Sequence, residues 1–215
     1  MNSSIAGGPP PARSTYRHGD LRRALLEAGI ELARAGGPDA VVLREATRRA
    51  GVVPNAAYRH FASRQALLQA VRAAALAQVA AAMEAELAAL RPASLSSATM
   101  ARASLRAVGT GYLRFAQSET GLFRTAFAVP VDVPEGADKG PGSGLNPFEL
   151  LGAALDRMVA AGVLPAERRP GAEYLAWSAV HGLAMLVIDG PLRRLTPTQT
   201  DEIGRRVIDM VEKGL

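Results

Sequence analysis

Residues 50–61 read AGVVPNAAYRHF. A glycine, two valines and a proline stand directly before a segment that spaces Asn55, Tyr58, Arg59 and His60. Glycine reaches the left-handed backbone region at no steric cost, so Gly51 predicts a tight turn. Proline lacks an N–H that the first helical turn would leave unpaired anyway, so Pro54 predicts a helix start. It also pushes Val53 into the extended conformation that an N-cap adopts. With a helical segment at about 43–50 before it, the stretch reads as a helix, a turn at 51–53 and a second helix at 54–60. Thr47 is small enough to let the two helices cross closely, and Val52 plugs their junction. Ala57 and Phe61 then face inward. Asn55, Ala56, Arg59 and His60 face outward, and Tyr58 lies at the edge with its ring packed and its hydroxyl available.

The surrounding charge agrees with an outward face that meets an anion. Residues 1–72 hold 11 Arg and no Lys against 5 Asp/Glu, whereas residues 73–215 hold 14 Lys/Arg against 15 Asp/Glu. A basic block beside a neutral one is the electrostatic footprint expected for a polyanion. A solvated arginine-rich face is the plainer explanation of the same count.

Helical periodicity accounts for nearly all of the chain. Leu21, Leu25, Ala28 and Leu32 repeat at helical spacing between an N-cap at Asp20 and a stop at Gly36-Gly37-Pro38. Ser63 caps a long helix that ends before Pro92, and further helices are predicted at about 94–117, 120–127, 148–161, 170–189 and 198–212. No segment alternates convincingly with period two, so the fold class is all-α. The stretch 129–147 carries four prolines and four glycines and no apolar period, which predicts a mobile or functional loop. Residues 1–15 read as a flexible arm, 16–62 as a helix-turn-helix domain and 63–215 as a further helical domain. No run approaches the ~20 apolar residues that cross a bilayer, and the N-terminus lacks the apolar core of a secretory signal. The chain has no cysteine, which suits a reducing cytoplasm.

In a helix-turn-helix the start of the second helix reads base edges while basic groups around it hold phosphates. Pro54, Asn55 and Ala56 occupy that start; Asn55 can hydrogen-bond an adenine edge and Arg59 can reach guanine or the backbone. Arg13, Arg17, Arg44, Arg48 and Arg64 are phosphate candidates, and Tyr58 and His60 flank them.

The run LREATRRAGVVPNAAYRHFASRQALLQAV at 43–71 resembles the DNA-binding region of TetR-family transcriptional regulators. The resemblance covers about 17–71. It implies that Tyr58 and His60 touch phosphates, as does the basic residue opening the next helix, here Arg64. The family usually has Ser or Thr where this chain has Val42 and Val53, so two expected hydroxyls are missing, and Ala46 replaces a larger aliphatic residue. Further on, GYLRFAQSETGLFRTAF at 111–127 and WSAVHGLAMLVIDG at 177–190 resemble a recurrent effector domain of that family named for Trp-His-Gly, here Trp177, His181 and Gly182. This implies a ligand-responsive, dimerising helical domain, with a repressor as the family default. Gly182 is expected to allow close helix approach.

A single reading helix offers few base contacts, so a homodimer on a pseudo-palindromic double-stranded operator is expected. The last two helices form the natural interface, through Leu183, Leu186, Val187, Ile203, Val207 and Met210. A pocket for a small, largely apolar effector is expected among helices 95–117, 148–161 and 170–189. Its lining would be Tyr112, Phe115, Phe148, Leu151, Met158, Trp177, His181 and Met185, which are also what an ordinary helical core contains. His181 is the candidate polar contact. No metal-ligand spacing, phosphate loop or catalytic constellation appears, so neither cofactor nor enzymatic activity is expected. The rival reading is a helical adaptor for protein partners whose basic face serves solubility alone.

Overall fold

The computed structural model describes residues 18–91, 96–128 and 138–215. These form nine α-helices and no strand: α1 (His18–Gly36), α2 (Leu43–Arg49), α3 (Pro54–Ala57), α4 (Arg64–Ala88), α5 (Ser97–Ser118), α6 (Thr120–Ala126), α7 (Pro147–Ala160), α8 (Ala172–Ile188) and α9 (Pro197–Gly214). The starts follow the capping chemistry of the sequence. Ser63 accepts from the Ala66 N–H at 3.1 Å. Asn146 with Glu149, and Thr196 with Gln199, close reciprocal capping boxes with proline at the next position. Asp20 is a correction: α1 begins at His18, so Asp20 lies in its first turn and is not the cap. The second helix of the turn unit is also shorter than expected, since regular α-helix ends at Ala57 and a looser turn carries the chain to Phe61.

α4 runs through the middle, packed on α1, α5, α6 and α7, while α5 also packs on α7, α8 and α9. Leu67, Val71, Val79 and Met83 of α4 are buried in one continuous core with Leu25, Tyr112, Phe123, Leu155 and Ile208. The expectation that no run suits a bilayer is corrected here. α4 has 25 residues and a hydropathy of 1.5 over its most apolar window, long and apolar enough by composition to cross one. Its apolarity follows from alanines and leucines that neighbouring helices cover on several sides.

Two close crossings fix the frame. A Cβ on Gly111 would stand 2.6 Å from the Ala82 carbonyl oxygen, so α5 lies directly on the backbone of α4. Gly121 likewise seats the start of α6 against the carbonyls of Ala33 and Arg34 near the end of α1. Beside that seat the Arg34 guanidinium donates to Glu119 at 2.7 Å.

Candidate nucleic-acid interface and ligand cavity

The turn between α2 and α3 forms as its residues dictate. Gly51 takes φ 68°, and the Val52 N–H returns to the Thr47 carbonyl at 3.0 Å. Thr47 is buried, its hydroxyl donating to the Arg44 carbonyl. Val53 is extended, with φ −73° and ψ 141°, and Pro54 opens α3. Ala57 and Phe61 are buried, and the Arg22 guanidinium lies over the Phe61 ring at 5.1 Å, fastening the unit to α1.

Asn55 and Arg59 are exposed side by side with Tyr58, while Ala56 and His60 are half-buried. Tyr58 differs from expectation: its side chain is 57% exposed rather than packed at the edge. Arg44 is exposed and makes no ion pair among the described residues. Arg48 and Arg49 both pair with Glu45, whose carboxyl is held down to about 2, chiefly by the Arg48 hydrogen bond. Arg64 is engaged elsewhere than expected. Its Nε donates to the Val41 carbonyl and a terminal nitrogen to that of Pro38, each at 2.8 Å. That locks the start of α4 onto the segment before α2, so its first task is to position the unit. Val42 and Val53, where hydroxyls are usual, are exposed by 43% and 69%. Arg17, like Arg13 and the arm 1–15, lies outside the described residues.

A cavity of about 220 Å³ opens between α4, α5, α7, α8 and α9. Tyr112, Phe148, Leu151 and Trp177 line it as expected. Phe115 and Met158 do not: both are buried in the continuous core, facing packed helices. Met185 is half-buried against that core and away from the cavity. His181 is also absent from the lining but stands directly behind it. The Tyr112 hydroxyl and His181 Nδ1 are 2.7 Å apart, and the Trp177 indole N–H donates to the same hydroxyl at 3.2 Å. Burial pushes the Tyr112 phenol above its ordinary value and the His181 imidazole below its own, so both are neutral at neutral pH.

Sequence reasoning missed the walls supplied by α4 and α9: Arg72, Leu76 and Met83, and Ile208 and Val211. It also missed Phe127, whose ring lies 4.9 Å from that of His181. Arg72 donates to the Ala126 carbonyl at 3.0 Å. The described part of the loop expected to be mobile, 138–146, is pinned. Glu84 of α4 accepts from the Gly142 N–H at 3.0 Å and the Ser143 N–H at 2.7 Å. Asp138 and Asn146 of this segment then form part of the cavity wall.

On the outer face of α8 and α9, Leu186 and Met210 are exposed and Ile203, Val207 and Val187 are half-buried. Leu183 is corrected as an interface residue, because it is 6% exposed and packs within the chain beside Leu113 and Thr200. A Cβ on Gly182 would meet nothing within 4 Å, so it serves no close approach inside the chain.

An exposed basic turn unit mounted on a helical bundle with an internal cavity is the architecture of a DNA-binding regulator. Residues 25–71 match the family model of bacterial regulatory proteins, tetR family, and residues 105–211 match that of the tetracyclin repressor-like C-terminal domain. Together the two cover well over half of the chain, which belongs to the TetR family. Its relatives are transcription regulators. The fold is also that of a protein of unknown function from Rhodococcus sp. RHA1, at 26% identity and a TM-score of 0.73, covering 94% of this chain and 99% of that one. It is similar to the TetR family transcriptional regulator PfmR from Thermus thermophilus, at 22% identity and a TM-score of 0.55, covering 89% and 95%. A TetR transcriptional regulator from Rhodococcus sp. RHA1 is similar at 22% identity and a TM-score of 0.51, covering 91% and 97%. Among curated proteins none matches the sequence.

Proposed function

We propose that the chain is a dimeric, cytoplasmic repressor that leaves a pseudo-palindromic operator when a small, largely apolar ligand occupies the cavity. One observation carries the reading: the same helices touch both ends. α4 starts at the turn unit, where Arg64 holds the backbone of 38–41, and supplies Leu76 and Met83 to the cavity wall. α6 starts against α1 and leads into Phe127 at that wall. A ligand that prefers one arrangement of these helices shifts the spacing of the two reading units in a dimer. The division into an arm at 1–15, a DNA-binding domain at 16–62 and an effector domain at 63–215 belongs to this reading. So does the Trp-His-Gly type of the effector domain, which the meeting of Trp177 and His181 at Tyr112 supports. Asn55 and Arg59 read base edges, and Arg44, Tyr58 and His60 hold phosphates. Val53 offers the groove a methyl surface suited to thymine. Leu186, Ile203, Val207 and Met210 meet their copies in the dimer.

The test is fluorescence anisotropy on labelled duplex from upstream of the chain's own gene, with random competitor DNA. Binding that survives competitor and falls about 10³- to 10⁵-fold between 50 and 200 mM salt, for 6–10 phosphate contacts, is the expected result. Absence of binding even at low salt would overturn the DNA reading and leave the adaptor.

A further inference from the structure

The cavity has a chemical polarity of its own, and it selects a class of ligand. Tyr112 and Trp177 line it, and His181 backs them. The Trp177 indole can only donate, and it donates to the Tyr112 oxygen. With the imidazole proton on Nε2, the phenol proton goes to His181 Nδ1, at a 2.7 Å separation that suits an O–H donor. Neutral imidazole accepts at that nitrogen when its proton sits on Nε2. In that tautomer the chain of bonds runs from Trp177 through Tyr112 to His181, and each bond polarises the next in the same sense. With its proton committed and one lone-pair site used, the phenol oxygen has only an acceptor site left. A ligand that brings only an acceptor meets no matching donor there.

Charge narrows the class further. The described lining holds one cation, Arg72, and one anion, Asp138. The guanidinium is already turned to the Ala126 carbonyl. A carboxylate entering the cavity would face Asp138, and an ammonium would face Arg72, so neither finds unopposed counter-charge for its desolvation. Asn146 adds an amide whose Oδ1 is taken by the Glu149 N–H, and the rest of the wall is apolar, with the rings of Phe127, Phe148 and Trp177 offering flat surfaces. At about 220 Å³ the space lies below the ~300–1,000 Å³ of drug-sized sites.

We infer that the cavity takes a small, uncharged hydroxyl compound with an apolar body, an alcohol or phenol, whose hydroxyl donates to Tyr112. This rests on the proposed effector role of the cavity but is tested apart from it. Trp177 is the chain's only tryptophan, so its emission reports occupancy directly, without DNA. The probes are matched sets on two skeletons, transparent where tryptophan is excited. One set is 2-cyclohexylethanol, its methyl ether and 3-cyclohexylpropanoate; the other is 1-octanol, its methyl ether and nonanoate.

On each skeleton the alcohol is expected to bind about tenfold more tightly than the ether, the effect of one hydrogen bond, and more tightly still than the carboxylate. Tyr112→Phe, whose ring still packs on Phe123, should bring alcohol and ether level. Ether or carboxylate equal to the alcohol in the unaltered protein would overturn the inference while keeping the cavity as a ligand site. No change in Trp177 emission with any probe would overturn both. Because the comparison of probes is made in the unaltered chain, poor folding of Tyr112→Phe would not blunt it.

Discussion

The reading surface and the cavity use their residues in opposite ways. Asn55, Tyr58 and Arg59 stand in solvent, so a change there disturbs little of the chain's packing, and on the proposed function their identities answer to DNA. Tyr112, Leu151 and Ile208 are buried and close the core while they shape the void. A change there alters what the cavity accepts and how the bundle packs in one stroke. On the proposed function, DNA affinity is thus adjustable at constant stability, whereas ligand selectivity is not.

The largest effect expected from this contrast is at the cavity. Leu151→Ala should cost about 2–5 kcal/mol of stability, toward the low end because the leucine already borders empty space. An unchanged thermal midpoint would break the contrast. Next comes the outer lock of the same domain, where the buried Glu212 accepts from Arg102 at 2.8 Å and also pairs with Arg106. Burial raises its carboxyl, but the two arginines outweigh that and hold it below the ordinary value. The folded form therefore binds the proton less readily than the unfolded one. Its stabilisation is full above the ordinary value of about 4.3 and is lost as pH falls through the lowered one. Glu212→Gln should cost about 2 kcal/mol near neutral pH and flatten that acid limb in denaturant titrations.

Effects at the reading surface should be smaller in stability and confined to DNA. Asn55→Ala should weaken specific binding by about 1–3 kcal/mol while moving stability by no more than ~0.5 kcal/mol. A matching loss of stability would show that the surface is not independent of the core. Smallest is the methyl contact of Val53. Replacing thymine by uracil under it should cost about 0.8 kcal/mol, one buried methyl's worth, and Val53→Ser should become indifferent to that exchange. Anisotropy on operator duplexes substituted one base at a time reads both.

Much of the turn unit was legible because its determinants are local. Gly51, Pro54 and the inward pair Ala57 and Phe61 lie within a dozen residues, and each acts through its own backbone or nearest turn. The helix start at Ser63 was legible for the same reason, whereas the capping boxes at Asn146 and Thr196 start α7 and α9 one residue before the expected 148 and 198. The cavity was legible only in part. Phe115 and Leu151 look alike in sequence as apolar residues on amphipathic helices, and only the registers of α5 and α7 on their neighbours decide which borders the void. Ile208 and Val211 lie about a hundred residues beyond Val108 and Tyr112, so their convergence is a property of long-range packing. The hold of Arg64 on the segment 38–41 was not legible, because its partners are backbone carbonyls and these leave no trace in residue type.

Gly121 sets one last property of the molecule. Where α6 rests on α1, backbone meets backbone, and no rotamer intervenes to soak up a displacement. Machinists call such a joint free of backlash: whatever travel enters on one side leaves undiminished on the other. A joint of this kind leaves no room for a side chain, and even the single methyl of Gly121→Ala, pressed against the Ala33 carbonyl oxygen, would force the two helices apart.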